Sequence, residues 1–211
     1  AFDHSFHTEN RDGMLGLRAD LLVCAAAPGT KWLANKEPEN DMRIIRQIQE
    51  DILSLEPKKV VLISTVDVFS NPIGVYEDTP IAPEILSPYG RHRYELEMFL
   101  RSRLDTCVIR LPGLFGEGLK KNLLFDMLVQ KVDFVDERSV LQWYNIDLLW
   151  GDVQRAITAG ITTLHLATEP ISTKEIRDTF FDTLKLPSFS VKPAGYDMRT
   201  HYSHLWGRKG D

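Results

Sequence analysis

Lys59-Val-Val-Leu-Ile-Ser-Thr65 is the stretch from which the fold can be read. Its apolar residues run together without polar alternation, the pattern of a strand covered on both faces, as in a parallel sheet. Upstream, Ala19-Asp-Leu-Leu-Val-Cys-Ala-Ala-Ala27 has the same character and is stopped by Pro28-Gly29. Between the two, residues 40–55 read as a helix, with Asn40 as N-cap, Asp41 in the first turn, and Met42, Ile45, Ile48 and Ile52 sharing a face. Downstream, a loop over 67–86 leads to Ser87-Pro88, a cap followed by proline at the first helical position, which opens a helix to about Arg103. Thr106-Cys-Val-Ile-Arg-Leu111 is a third strand. Strand, helix, strand, helix, strand at this spacing predicts an α/β fold with a doubly wound, mostly parallel sheet, in which Val23, Val61 and Ile109 lie on adjacent strands.

Beyond Pro112-Gly113 the pattern loosens. A helix is expected over 119–130 with Lys120-Lys121 as its solvated end, then strand-like pieces at 132–135 and 140–144. A helix over 148–159, a strand over 163–167 and a helix over 172–184 follow, the last with Ser172 and Glu175 as a capping box. The residues after Pro187 read as mostly irregular. The expected organisation is an α/β domain over 1–167, with 112–146 partly contributing to a second lobe, and a small C-terminal α+β lobe over 168–211.

The 211 residues are 43% hydrophobic and 26% charged, which excludes global disorder and supports a core that needs no disulfide or metal to staple it. Lys and Arg number 25 against 30 Asp and Glu, a net charge of −5 that argues against a nucleic-acid partner. No apolar run is long enough to span a membrane, and no basic segment precedes an apolar one as in a secretion signal. Cys24 and Cys107 both sit in apolar runs and read as buried, unpaired thiols, so a cytoplasmic location is expected.

In doubly wound sheets, ligands sit at the carboxyl ends of the strands. There the sequence places Ala25-Ala26-Ala27, small enough for a ligand to reach the backbone or simply tightly packed, and the hydroxyls of Ser64 and Thr65. The next helix opens with Tyr89-Gly-Arg-His-Arg93, whose Tyr89 and Arg93 are four apart and share a face. A fixed cation beside a phenol favours its ionised form, so the pKa of Tyr89 is expected to fall from about 10 toward neutrality, suiting a general acid or base. Thr65 would orient a carbonyl or alcohol beside it.

These segments, in this order, resemble the short-chain dehydrogenase/reductase superfamily. The resemblance is closest to its extended branch of nucleotide-sugar epimerases, dehydratases and dTDP-4-dehydrorhamnose reductases. Asp20 to Ala27 resembles the strand that ends in small residues, and Val60 to Phe69 the hydroxyl-bearing strand, with Thr65 four residues before an aromatic. Pro88-Tyr89-Gly90 with Arg93 and Glu97 resembles the catalytic helix, and Val108 to Gly116 the strand and loop that approach the nicotinamide. Gln142 to Ala156, with Asp147, and Thr163 to Ile176 resemble the later strands and helices, so the likeness covers roughly residues 19 to 185. It implies a Rossmann-like fold and an NAD- or NADP-dependent oxidoreductase or epimerase, acting by hydride transfer on a sugar or nucleotide-sugar alcohol or ketone. It implies nucleotide binding for the domain over 1–167, substrate binding for the C-terminal lobe with 112–146 partly contributing, and Thr65, Tyr89 and Arg93 as the catalytic set. Ala25, Ala26, Ala27, Ser64, Tyr89, Arg93, Pro112 and Leu114 would contact the cofactor. Asn122 falls where the family places a substrate contact, its other reading being an exposed helix residue. Gln142 falls where relatives carry a basic, diphosphate-binding residue, and its neutrality weakens the case for a nucleotide-sugar. The expected partner is a small-molecule substrate, with neither nucleic acid nor membrane, and a homodimer is left open.

Two departures weigh for a second reading, a non-catalytic cofactor-sensing or partner-binding protein on the same fold. The family's lysine is Arg93 here; it keeps the charge but cannot deprotonate. No strand and glycine-rich turn for the cofactor pyrophosphate is found: Gly13 and Gly16 match the letters, but strand one follows at once and leaves no room for the helix. The chain is therefore expected to start after that unit, with Phe2 to Phe6 as the second strand of the sheet, and to bind NAD(P) weakly as it stands. The pairs His4/His7 and His201/His204 lack a neighbouring carboxylate or thiol pattern, so no metal site is expected. Trp143 and Tyr144 read as core.

Overall fold

The computed structural model describes residues 2–14, 16–119, 122–190 and 192–207. In chain order the elements are β1 (Leu21–Cys24), α1 (Lys31–Lys36), α2 (Pro38–Ser54), β2 (Lys59–Thr65), β3 (Ile73–Val75), α3 (Pro88–Arg101), β4 (Thr106–Leu111) and β5 (Gly113–Phe115). There follow α4 (Leu123–Leu128), β6 (Val140–Leu141), β7 (Trp143–Asn145), α5 (Leu149–Thr158), β8 (Thr163–His165), β9 (Ile171–Ser172), α6 (Thr173–Phe180) and β10 (Asp197–Met198). The chain forms two compact units: Ala1–Ser70 with Ile81–Ile109, and Asn71–Pro80 with Arg110–Asp211.

In the first unit β1 and β2 pair in parallel from Leu21↔Lys59 to Cys24↔Leu62, which puts Val23 beside Val61. The Val60 amide donates to Asp105 O (2.8 Å) where β4 begins alongside β2. The core forms because α2 presents Ile45, Ile48 and Ile52, and α3 presents Leu96 and Leu100, to Cys24, Val60, Leu62 and Val108 of the strands. All six residues of β4 are buried, so a run without alternation is what its two covered faces demand. The end of β4 takes β8 as its neighbour within the second unit, where the Leu166 amide donates to Arg110 O (3.1 Å); the sheet order is β1-β2-β4-β8. The mostly parallel α/β sheet expected from the sequence is thus present.

The second unit also carries small sheets. β5 pairs in parallel with β7, β6 antiparallel with β9, and β10 in parallel with β3. Met127, Val135 and Ile176 form its buried cluster, against which Leu123, Leu124, Val132 and Trp143 pack.

Several boundaries differ from expectation. Residues 2–6 form no strand; a 3-10 segment over Thr8–Met14 follows them. Gly16 has φ +78 in a turn, and no helix lies between it and β1. α2 begins at Pro38, not after Asn40, because proline's fixed φ suits the first helical position; Asn40 lies inside the first turn and accepts from Arg43 Nη2 (2.9 Å). Residues 132–135 form a turn, closed by the Val135 amide on Val132 O (2.9 Å). α4 starts only at Leu123, and the expected helix end at Lys120-Lys121 lies outside the described residues. Ser172 caps α6 as expected, its Oγ accepting from the Glu175 amide (3.1 Å), but the helix stops at Phe180, short of residue 184.

Cys24 and Cys107 are free and buried, as expected. Among the described residues, no helix is long and apolar enough to cross a membrane.

Candidate active site

Three elements of the first unit bring Thr65, Tyr89 and Arg93 together. β2 ends in Thr65, which caps the following 3-10 turn (Val66–Val68): its Oγ1 accepts from the Asp67 amide (3.2 Å). α3 opens beside this turn. Ser87 Oγ accepts from the Gly90 amide (3.4 Å), and Asn35 Oδ1 of α1 accepts from the Tyr89 amide (3.0 Å), so two of the helix's unpaired donors are satisfied. Gly90 is what allows the approach. A Cβ built there would lie 2.0 Å from Asp67 O, a backbone atom that cannot rotate away. The Tyr89 phenol is thereby brought near the Thr65 side chain.

Arg93 lies one turn further along α3 and is almost wholly buried (3% exposed). Its Nη1 donates to Asp41 Oδ2 (2.5 Å) and Tyr89 O (3.3 Å); its Nη2 donates to Asp41 Oδ1 (3.0 Å) and Pro28 O (2.5 Å). Each terminal nitrogen carries two hydrogens, so all four are used, and only the buried Nε–H has no partner. The guanidinium carbon stands 4.0 Å from the centroid of the Tyr89 ring, a cation–π contact. His92 Nδ1 also meets Asp41 Oδ2 (2.7 Å). A buried pair of this kind is bidentate and hydrogen-bonded; removing one partner strands the other charge, at about 3–5 kcal/mol.

The ionisation of Tyr89 moves opposite to the expectation from the sequence. Its pKa is raised, because loss of water around the phenol outweighs the nearby Arg93 charge; Asp67 and Asp41 add to the rise, and the polar Thr65 side chain opposes it. The helical spacing shows the cation but not how deeply the ring is buried.

The other expected residues divide. Ala25 and Ala26 are exposed just past β1, while Ala27 is half-buried against the core. The Ser64 hydroxyl is not turned to a ligand: it is buried and donates to Glu97 Oε1 (2.6 Å). In the second unit Pro112 is buried and Leu114 is half-buried in β5, its carbonyl accepting from Asn122 Nδ2 (2.6 Å). Asn122 is the N-cap of α4, with Oδ1 accepting from the Phe125 amide (3.0 Å), and its φ of +129 is strained for a residue with a side chain. Gln142 is buried and fully engaged: Nε2 donates to Thr168 O (2.5 Å) and Met198 O (2.8 Å), and Oε1 accepts from the Met198 amide (2.7 Å). It ties the chain together and has no amide hydrogen left for a substrate. Asp147 lies in the 3-10 turn before α5, its amide donating to Asn145 Oδ1 (3.0 Å).

Asn35, Asp41 and His92 are the residues that sequence reasoning missed. Asp41 had a signal. It shares the stripe of Ile45, Ile48 and Ile52 on α2, and a carboxylate on an apolar stripe requires a buried partner. Asn35 had none, since its acceptor role depends on where α1 lies against α3.

No protein-family model and no curated protein sequence matches the chain. Solved structures do. The dTDP-glucose 4,6-dehydratase of Streptomyces venezuelae, solved with NAD bound, is similar with a TM-score of 0.73 over 95% of this chain and 70% of that one, at 14% identity. A UDP-galactose 4-epimerase gives 0.74 over 98% and 77%, at 14% identity. The chain has the fold of the extended short-chain dehydrogenases/reductases. A dTDP-4-dehydrorhamnose reductase of Clostridium acetobutylicum, 18% identical, gives 0.70 over 88% and 74%. In the short-chain dehydrogenase fold, as in other doubly wound sheets, ligands sit past the carboxyl ends of parallel strands, where Ala25, Ala26 and Thr65 stand in the first unit.

Proposed function

We propose that the chain is an NAD(P)-dependent oxidoreductase or epimerase-like protein that acts on a sugar-like alcohol or ketone, with a nucleotide-sugar as the first substrate class to test. The observation that carries this reading is the Tyr89 phenol against the Arg93 cation on α3, where that helix opens beside the end of the parallel strand that carries Thr65. The solved structures of this fold include enzymes with NAD bound that act on nucleotide-sugars, which supports the choice of cofactor and substrate class.

The first unit fits a nicotinamide dinucleotide in part. Ala25 and Ala26 are exposed and carry only methyl side chains, and Thr65 and Tyr89 offer hydroxyls; Arg93 has no terminal N–H left for a ribose. A bound dinucleotide supplies the hydride donor or acceptor. Tyr89 then moves the proton: in ketone reduction its phenol gives a proton to the oxygen as the carbon gains hydride, and in alcohol oxidation its phenolate takes one. Burial raises its pKa, so the phenol is protonated at neutral pH and able to donate in ketone reduction. Thr65 holds the same oxygen.

The test is turnover of UDP-glucose and dTDP-glucose and their 4-keto derivatives with NAD(P)(H), followed by the absorbance of the reduced nicotinamide. Tyr89→Phe keeps the ring and removes the proton, and should lower the rate by about 10²–10⁴-fold with dinucleotide affinity unchanged. An equal rate in the variant ends the assignment. A second reading, a non-catalytic cofactor-binding protein, is favoured by one observation: the cation at the family's lysine position is spent on Asp41. Dinucleotide binding with no turnover of any of these substrates would select it.

A further inference from the structure

We propose that Asp41 is a positioning residue for Tyr89, acting through Arg93: the carboxylate holds the guanidinium fork over the phenol ring, and without it the cation leaves. This rests on Tyr89 being the proton-transferring group, but its test does not require turnover.

The geometry is specific. Arg93 bridges α2 through Asp41, the segment after β1 through Pro28 O, and its own helix through Tyr89 O, and it does so with its guanidinium carbon over the Tyr89 ring, 4.0 Å from the centroid. The bidentate contact to Asp41 fixes the plane of the fork; a single contact would leave it free to rotate. Pro28 O and Tyr89 O are neutral acceptors and hold one hydrogen each, so Asp41 supplies the only full charge in the set. His92 packs its Nδ1 on the same carboxylate, which fixes Asp41 from the α3 side. The charge and polar groups facing Tyr89 are Arg93 of α3, Asp41 of α2, Asp67 after β2, and the hydroxyl of Thr65; Asp67 is itself paired with Lys31 Nζ (2.7 Å).

The arrangement makes two accounts of Asp41 differ in sign. If Asp41 acts on Tyr89 only as a negative charge, removing it makes the phenol easier to ionise. If it positions Arg93, removing it also removes a positive charge whose effect on the phenol is the larger, and the phenol becomes harder to ionise. Arg93 outweighs Asp41 in its effect on Tyr89, so the positioning account predicts a net rise.

The experiment places 2,3,5-trifluorotyrosine at position 89, which ionises well below tyrosine and so within the range where the chain stays folded, and reads its midpoint by fluorine NMR. Asp41→Asn should raise the midpoint by about one unit or more, the effect of losing an adjacent opposite charge. Asp41→Glu, which restores a carboxylate, should return it toward the parent value. In an Arg93→Met background, Asp41→Asn should lower the midpoint, since no cation is left to release. Arg93→Lys keeps the charge but lacks the fork, and should also raise the midpoint; it serves if Asp41→Asn does not fold. An unchanged or lowered midpoint in Asp41→Asn, or in Arg93→Lys when that variant stands in, overturns the proposal. So does a rise that persists in the Arg93→Met background. If these shifts occur but Tyr89→Phe turns over substrate at the parent rate, the positioning stands and the assignment of Tyr89 falls.

Discussion

Tyr89, Gly90 and Asp41 carry the site at the scale of single residues, and each does so for a different physical reason. Burial holds the Tyr89 phenol protonated, so its pH dependence has a defined sign. Ketone reduction uses the protonated form and should be level through neutral pH, falling only above the ordinary tyrosine value of about 10. Alcohol oxidation uses the phenolate and should still be rising there. Rates in both directions across alkaline pH check this; a reduction rate that falls away below pH ~9 would contradict a raised phenol. Gly90 acts by having no side chain. Gly90→Ala drives a methyl toward Asp67 O and should cost about 1–3 kcal/mol as α3 shifts off the turn. A melting temperature lower by roughly 2–4 °C per kcal/mol is expected for a chain of this size. A melting temperature at or above the parent's would mean that the close approach does not exist. That Thr65 and Tyr89 lie near each other was legible in the sequence, because strand end and helix start both had clear signals. The fate of Arg93 was not, because its partner lies on another helix 52 positions away.

At the scale of elements, what could be read and what could not separates by length. β2 and β4 have the bounds expected, since each is a continuous apolar run flanked by turn residues. β3 and β10 were invisible: they are three and two residues long, and they exist only through pairing with each other. Within the second unit that pairing depends on Glu77. Its carboxylate accepts from the His165 amide (2.9 Å), the Thr200 hydroxyl (2.5 Å) and the His201 amide (3.0 Å), while His201 stacks on Tyr76 and meets Asp78. Glu77→Gln keeps the shape but turns one acceptor into a donor that faces other donors, a loss of about 1–3 kcal/mol. Hydrogen exchange should speed up at the Asp197 and Arg199 amides, which donate to Pro72 O and Val75 O, and stay unchanged in β2. Unchanged protection at those two amides would show that the strands hold without the clamp.

For the whole molecule, composition set limits but not chemistry. The net charge of −5 and the ordinary apolar content fit many folds, and the fold came from the order of strands and helices. The function rests on one further step, that the strand ends of the first unit receive a nicotinamide dinucleotide beside Tyr89. Ala26 is exposed past the end of β1, so a large side chain there would occupy that space without entering the core. The most direct measurement is saturation-transfer NMR with NADH and NADPH, which detects weak binding as well as tight. The account predicts that the nicotinamide ring protons of at least one dinucleotide take up saturation from the protein, and that this transfer is lost in Ala26→Trp while the circular dichroism spectrum is retained. No transfer to either dinucleotide, or equal transfer in parent and variant, would contradict it.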